Sequence, residues 1–345
     1  MDMTQAPGLQ SDALLRDRLY QAGVTQRLMR PGVTEVAINR PGEIWTDSAE
    51  GWQREDAPFL NEETCRALYT AMGAYSSRPL TSDTPIQTLE LPDGERALVV
   101  VPPACEKGTC SITIRKPSLD RFALGDYIQG GRFSLARAVA TSTIELADWQ
   151  LRLQAAHRAQ DWDTFFRLAI ERRQNVIIFG GPGSGKTTYA KALIDLFPTE
   201  RRLITIEEIN ELQLPLHPNH VHLLYGGKVR PKELVAATLR MKPDHLFLAE
   251  LTGDEAWHFM EILNTGNPGT VTTAHANDSL AGFARIAGLI KQSVVGQGLE
   301  MDYIQREVRT SFDVVVYMER KQILEVHYEP EVKLALLNGK SGRSS

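Results

Sequence analysis

The 345 residues hold little of what would mark an unusual chain. Cys65, Cys105 and Cys110 are the only three cysteines, too few for a disulfide framework. Neither Cys105 nor Cys110 has the second cysteine pair or the histidines of a zinc site, so a reducing cytosol is the expected setting. Long apolar runs are missing. The most apolar stretches, 97–104 and 176–179, fall far short of the ~20 residues a membrane-spanning helix needs. Residues 1–10 show neither the basic nor the apolar region of a signal peptide, so no export leader is expected and any membrane contact is peripheral. An excess of one charge sign is also absent. With 38 Lys and Arg against 43 Asp and Glu, a net charge of −5 and no basic track, nucleic-acid binding is not favoured.

What is present belongs to an ordinary globular chain: 42% hydrophobic and 23% charged residues, in a length about twice the ~150 residues of one domain. Residues 1–117 are expected to form an N-terminal α+β domain, 118–160 a linker and connecting helix, and 161–345 a C-terminal domain. The first ten residues read as a frayed tail, followed by an amphipathic helix over 12–20. Alternating runs on either side of Pro41-Gly42 predict a hairpin. Asn61 before two glutamates predicts a capped helix ending at Gly73. Strands are expected at 86–91, 96–101 and 111–115. The glycines between Pro117 and Phe133 mark a loop, and 136–158 and 162–172 carry helix-forming residues. Beyond Asn175, short β-rich runs alternate with helical patterns, which predicts a largely parallel sheet covered by helices. The runs at 312–318 and 323–328 are expected to add antiparallel edge strands.

One motif is complete. Gly180-Gly181-Pro182-Gly183-Ser184-Gly185-Lys186-Thr187 matches G-x-x-x-x-G-K-[ST] and lies between an apolar strand and a helix pattern that opens at Thr188. The glycines let consecutive N–H groups curl around phosphate oxygens, and the helix points its positive end at the same place. Lys186 is expected to reach the β and γ phosphates and Thr187 to ligate Mg²⁺. The site implied is one for a nucleoside triphosphate.

In an open parallel sheet ligands bind outside the carboxyl ends of the strands. Glu207 and Glu208 follow the run 203–206, Glu250 follows 245–249, and His275 follows 270–273. Glu250 fits an acid that holds Mg²⁺ or its water shell, and Glu207 fits a base that orients the attacking water. The plainer alternatives are that an acid after a strand caps the next helix and that the histidine is an ordinary hydrogen bonder.

The cradle, the Ile204-Thr-Ile-Glu-Glu208 element, Glu250 and the 266–275 segment Gly-Asn-Pro-Gly-Thr-Val-Thr-Thr-Ala-His together resemble the secretion and traffic ATPases of bacterial type II and type IV systems. The 35–42 hairpin and the 111–117 segment resemble the type IV, or conjugation, branch. The resemblance implies a homohexameric ring of α/β chains, each with a RecA-like P-loop C-terminal domain behind a smaller α+β N-terminal domain, with ATP and Mg²⁺ bound between them. It implies work at the cytoplasmic face of the inner membrane, beside other secretion-system ATPases and inner-membrane components. Residue by residue, Glu207 matches the acid of the aspartate box, Glu250 that of the Walker B element and His275 that of the histidine box. Arg115 matches an arginine that approaches the phosphates, and Arg132 and Arg240 are weaker candidates. Two positions depart from the pattern: Glu208 stands for the usual Asp, and Thr252 for an arginine. Rival readings are a type II secretion or pilus-retraction motor, a RecA-like nucleic-acid motor, and a nucleotide-gated scaffold without turnover.

Overall fold

A computed structural model describes residues 7–117, 123–136, 145–253, 255–264 and 266–338. The first half contains α1 (Pro7–Gln21), α2 (Val24–Leu28), β1 (Glu35–Ile38), β2 (Gly42–Ser48), β3 (Gly51–Ala57), α3 (Glu62–Tyr75), β4 (Ile86–Glu90), β5 (Arg96–Val100) and β6 (Ser111–Arg115). The strands form one antiparallel sheet in the order β3-β2-β1-β6-β5-β4. The Pro41-Gly42 hairpin is there, with Val36 opposite Thr46. Strand β3 was not expected, because Trp-Gln-Arg-Glu-Asp carries almost no apolar signal; it pairs with β2 along its whole length. Asn61 caps α3 by accepting the Thr64 N–H at 2.9 Å, as expected. Gly73 does not end that helix, which runs to Tyr75. It is a packing glycine: a β-carbon there would lie 2.9 Å from the Arg78 carbonyl. Helix α1 begins at Pro7, so the expected frayed tail holds at most for residues 1–6, which lie outside the described residues.

Beyond 117 come α4 (Leu124–Gln129), α5 (Asp148–Arg158), α6 (Trp162–Glu171), β7 (Val176–Gly180), α7 (Lys186–Ile194), β8 (Leu203–Glu207), β9 (His220–Leu224), α8 (Pro231–Thr238), β10 (His245–Leu248), α9 (Glu255–Leu263), β11 (Val271–Ala274), α10 (Ser279–Gln292), α11 (Val294–Gln297), α12 (Met301–Ser311), β12 (Val314–Glu319), β13 (Gln322–His327) and α13 (Pro330–Leu337). Part of the expected loop is thus the short helix α4. The helical reading of 136–158 holds only from Asp148, since 145–147 are not helical and 137–144 lie outside the described residues.

Two further sheets follow, β9-β8-β10 and β11-β7-β12-β13. Threonine hydroxyls join them where a backbone ladder is lacking: Thr270 and Thr272 donate to the Leu246 and Leu248 carbonyls, both at 2.6 Å. Strand β12 corrects the expectation of an antiparallel edge. It lies inside the sheet, parallel to β7, and only β13 is antiparallel. The crossover through α10 and α12 returns the chain in the same direction, and Val314-Val-Val-Tyr-Met318 is buried on both faces, as befits an inner parallel strand. Strand β7 shows the two-sided burial too. Ile177 and Phe179 pack with Ile206 and Leu248 on one side, and Val176 and Ile178 with Phe165 and Leu193 on the other.

The first sheet is stitched to the β8–β9 edge of the second. Leu98, Val100, Ala104 and Cys105 share a core cluster with Leu223, and the Leu224 N–H donates to the Ala104 carbonyl at 2.9 Å. Beside that seam Arg202, fully buried, donates to Asn39 Oδ1, Asn219 Oδ1 and the Met241 carbonyl at 2.8, 2.8 and 2.9 Å. Its guanidinium also lies over the Trp52 ring, 4.9 Å from the centroid.

A pH dependence of stability follows from His245. The ring is 2% exposed, packs against Phe197 and donates from Nδ1 to the Gly269 carbonyl at 2.8 Å. Burial pushes its pKa down to about 4, against about 6.5 in an unfolded chain. Between those values the unfolded state binds the proton first, so stability is complete above about pH 6.5 and is lost as pH falls toward 4. The share from His245 is about 3 kcal/mol. Urea midpoints measured from pH 7 to 4 should fall, and His245→Gln should flatten the slope; an equal slope in the variant would remove His245 as the cause.

Candidate functional site

Strand β7 ends at Gly180, and the chain turns through 181–185 into α7. A β-carbon on Gly180 would lie 2.4 Å from the Met318 carbonyl and 2.6 Å from Ser184 Oγ, so no larger residue fits behind the turn. Gly183 and Gly185 have φ of 69° and 94°, backbone open to glycine at little cost. Gly181 and Gly183 face open space, as amides that must approach a ligand do. The first turn of α7 carries no acid, leaving the positive end of the helix uncompensated. Thr187 is half-buried, and Pro182 and Thr188 are exposed.

Lys186 is 7% exposed. Nζ donates to the Gly180 and Gly181 carbonyls at 2.9 and 3.0 Å and lies 3.3 Å from His275 Nδ1. His275 Nε2 in turn lies 2.9 Å from Glu250 Oε1. His275 Nδ1 also lies 3.2 Å from the Gly180 carbonyl, so the ring sits between the Lys186 loop on one side and the Glu250 carboxylate on the other. Burial lowers the Lys186 pKa, and Glu250 opposes the shift only in part. Lysine, histidine and Glu250 thus form one chain around the mouth of the cradle, from three strand ends far apart in sequence.

Glu207 is placed differently. Its carboxylate is fully buried, and Oε2 accepts the N–H groups of Glu211 and Leu212 at 2.9 and 2.8 Å. Oε1 has no hydrogen-bond partner, with His222 Nδ1 3.7 Å away. Burial alone would raise the Glu207 pKa. The His222 imidazole, the Leu212 amide, the Thr205 hydroxyl and the Glu211 amide outweigh it, so the group titrates below the usual carboxylate range. In this conformation the acid clamps the turn at 208–212. Glu208 is exposed.

The arginines are outlying. Arg115 is 76% exposed, 3.9 Å from Glu35. Arg132 lies over the Tyr127 ring, and Arg240 is exposed in the turn after α8. At the departure from the family pattern, the Thr252 and Gly253 amides donate to the buried Glu255 carboxylate at 2.7 and 2.8 Å, which caps the entry to α9.

Two contributions were not foreseen. The β12–β13 turn braces the cradle, since the Lys321 N–H donates to the Ser184 carbonyl at 3.1 Å; reading β12 as an edge strand hid this. The Thr205–His222 pair, 2.7 Å apart, sits beside Glu207. The recurrence of Thr205 and Glu207 at i and i+2 on β8 was the available signal.

The cradle fits a polyphosphate. Ser184 Oγ is a buried hydroxyl without a hydrogen-bond partner, next to Gly180 in the turn. A Thr187 hydroxyl and a Glu250 carboxylate are the hard oxygen donors that Mg²⁺ prefers. Among the described residues no group of three or more His, Cys, Asp or Glu could hold a metal by itself, and no helix is long and apolar enough to cross a membrane.

The chain is similar to known proteins. A family model described as type II/IV secretion system protein matches residues 19–321. The type IV secretion system protein VirB11 of Brucella suis biovar 1 (strain 1330) is 39% identical over 321 residues, spanning 89% of this chain and 88% of the relative. PtlH of Bordetella pertussis is 35% identical over 305 residues, spanning 85% and 87%. The crystal structure of the VirB11 ATPase from the Brucella suis type IV secretion system, in complex with sulphate, superposes with a TM-score of 0.90 at 37% identity, over 96% of this chain and 99% of that one. The chain belongs to the type II/IV secretion system protein family, among its VirB11-like ATPases.

Proposed function

We propose that this chain hydrolyses MgATP within a homohexameric ring and that the resulting domain motion energises channel and pilus assembly or substrate transfer in a type IV secretion system. The observation that carries the reading is the Lys186–His275–Glu250 chain closed around the mouth of the cradle. The division into an α+β N-terminal domain (1–117), a linker region (118–160) and a RecA-like P-loop domain (161–345) belongs to the same proposal. So do a location at the cytoplasmic face of the inner membrane and contacts with other secretion ATPases and inner-membrane components.

The mechanism uses residues already in place. The cradle amides and the end of α7 bind the phosphates. Lys186 exchanges its two carbonyl partners for β and γ phosphate oxygens, a charge-assisted contact that offsets the cost burial places on its charged form. Thr187 and Glu250 would hold Mg²⁺, directly or through water, and the ion would supply charge neutralisation on the phosphate oxygens. His275 holds Glu250 in orientation. Glu207 is proposed to orient the attacking water, which requires the 208–212 turn to release its carboxylate. Because that turn is tied to the first half of the chain, with Asn210 Nδ2 donating to Glu106 at 2.7 Å, the same release reaches the N-terminal domain. Arg115, exposed here, is proposed to approach the phosphates, with Arg132 and Arg240 as weaker candidates for the same role.

Glu250→Gln keeps the shape of the site and removes the charge. Nucleotide affinity is expected to survive while turnover drops about 100-fold or more, measured as phosphate release beside equilibrium binding of ADP. Undiminished turnover would withdraw the role given to Glu250.

A further inference from the structure

The hairpin joining β12 to β13 has a two-residue loop, Arg320–Lys321, and both residues have positive φ, 50° and 65°. Loops of this kind favour Asn-Gly or Asp-Gly, because an L side chain in the left-handed region crowds its own backbone. A sequence optimised for the turn alone has no reason to put two long cations there. Strain of this sort persists where a function retains the residues.

The loop lies against the cradle. Besides the Lys321 N–H on the Ser184 carbonyl, a β-carbon on Gly185 would lie 3.7 Å from Lys321 Cα and 3.8 Å from its Cγ. The lysine stem therefore crosses the residue that opens α7. Arg320 is 91% exposed, with Glu319 at 3.6 Å, and Lys321 is exposed as well. Arg320 has Glu319 as a neighbour, whereas Lys321 brings a cation to the positive end of a helix whose first turn carries no acid, a place that favours an anion.

We propose that the Arg320–Lys321 loop is an outer wall of the nucleotide site. Its cations, Lys321 foremost, contact the part of a nucleoside di- or triphosphate that projects beyond the cradle, the α-phosphate and ribose. The inference rests on the reading of 180–187 as a nucleotide cradle and adds a binding element on a different strand pair.

The test exchanges function for turn quality. In the double variant Arg320→Asn, Lys321→Gly the loop acquires its preferred residues, so the thermal midpoint of the full chain should rise. The Kd for ADP, read by a fluorescent analogue, should rise about tenfold. Lys321→Met, which keeps the aliphatic stem and the strained backbone, should reproduce most of that loss and weaken the dependence of binding on salt. Wild-type affinity in either variant, whatever happens to the melting temperature, overturns the proposal. ADP binding by the unaltered chain, abolished in Lys186→Ala, keeps the two readings apart. If the unaltered chain bound no ADP, the cradle assignment and not the loop would be at fault.

Discussion

Lys186→Ala is expected to eliminate ATP turnover, by about 100-fold or more, in a chain that still folds. The ammonium is the one side-chain cation among the described residues that donates to the cradle carbonyls, and it does so from a largely buried position. There it has lost part of its charge stabilisation to burial, and a bound phosphate restores it. Removing the group takes away the cation at the place where negative charge must be held. The fold should tolerate the change, because the amine's partners are carbonyls of a loop that faces solvent and His275 keeps Glu250. Phosphate release by wild type and variant, with thermal melts of both, decides the matter. A variant that turns over ATP at the wild-type rate would falsify the cradle assignment.

The second large effect is on stability. Arg202→Ala is expected to cost roughly 3–5 kcal/mol, the range for breaking a buried, hydrogen-bonded charge. The guanidinium fills a fully buried space and serves acceptors from both halves of the chain, Asn39 from the first and Asn219 and Met241 from the second. Burial draws its pKa down to about 10, which still leaves it charged at neutral pH. Without it, a cavity opens and two amide oxygens and a carbonyl lose a donor in a dry site. Urea unfolding followed by tryptophan fluorescence should show an earlier midpoint, with Trp52, beneath the guanidinium, among the reporters. A midpoint within experimental error of wild type would show that the contact contributes little to holding the halves together.

Much of this could be read from the amino acids alone. The phosphate cradle is local chemistry: eight consecutive residues whose glycines, lysine and hydroxyl act through backbone geometry that neighbours in sequence determine. The strands and helices of the second half declare themselves by period, and polar residues placed at strand ends marked Glu207, Glu250 and His275 because a parallel sheet gathers its carboxyl ends on one rim. What tertiary structure decided is which of these side chains meet. Glu250 and His275 reach Lys186, whereas Glu207 lies under the 208–212 turn, a difference set by how that turn packs rather than by the residue type. Strand β3 escaped notice because its outward face is polar and its pairing is supplied by β2. The parallel course of β12 depends on the length of a crossover, which no local pattern encodes. Arg202 looks like any surface arginine until the first sheet closes over it. Short-range preferences act within a few residues and are legible in order; burial, charge pairing and strand direction arise from residues tens of positions apart, and only the folded chain brings those together.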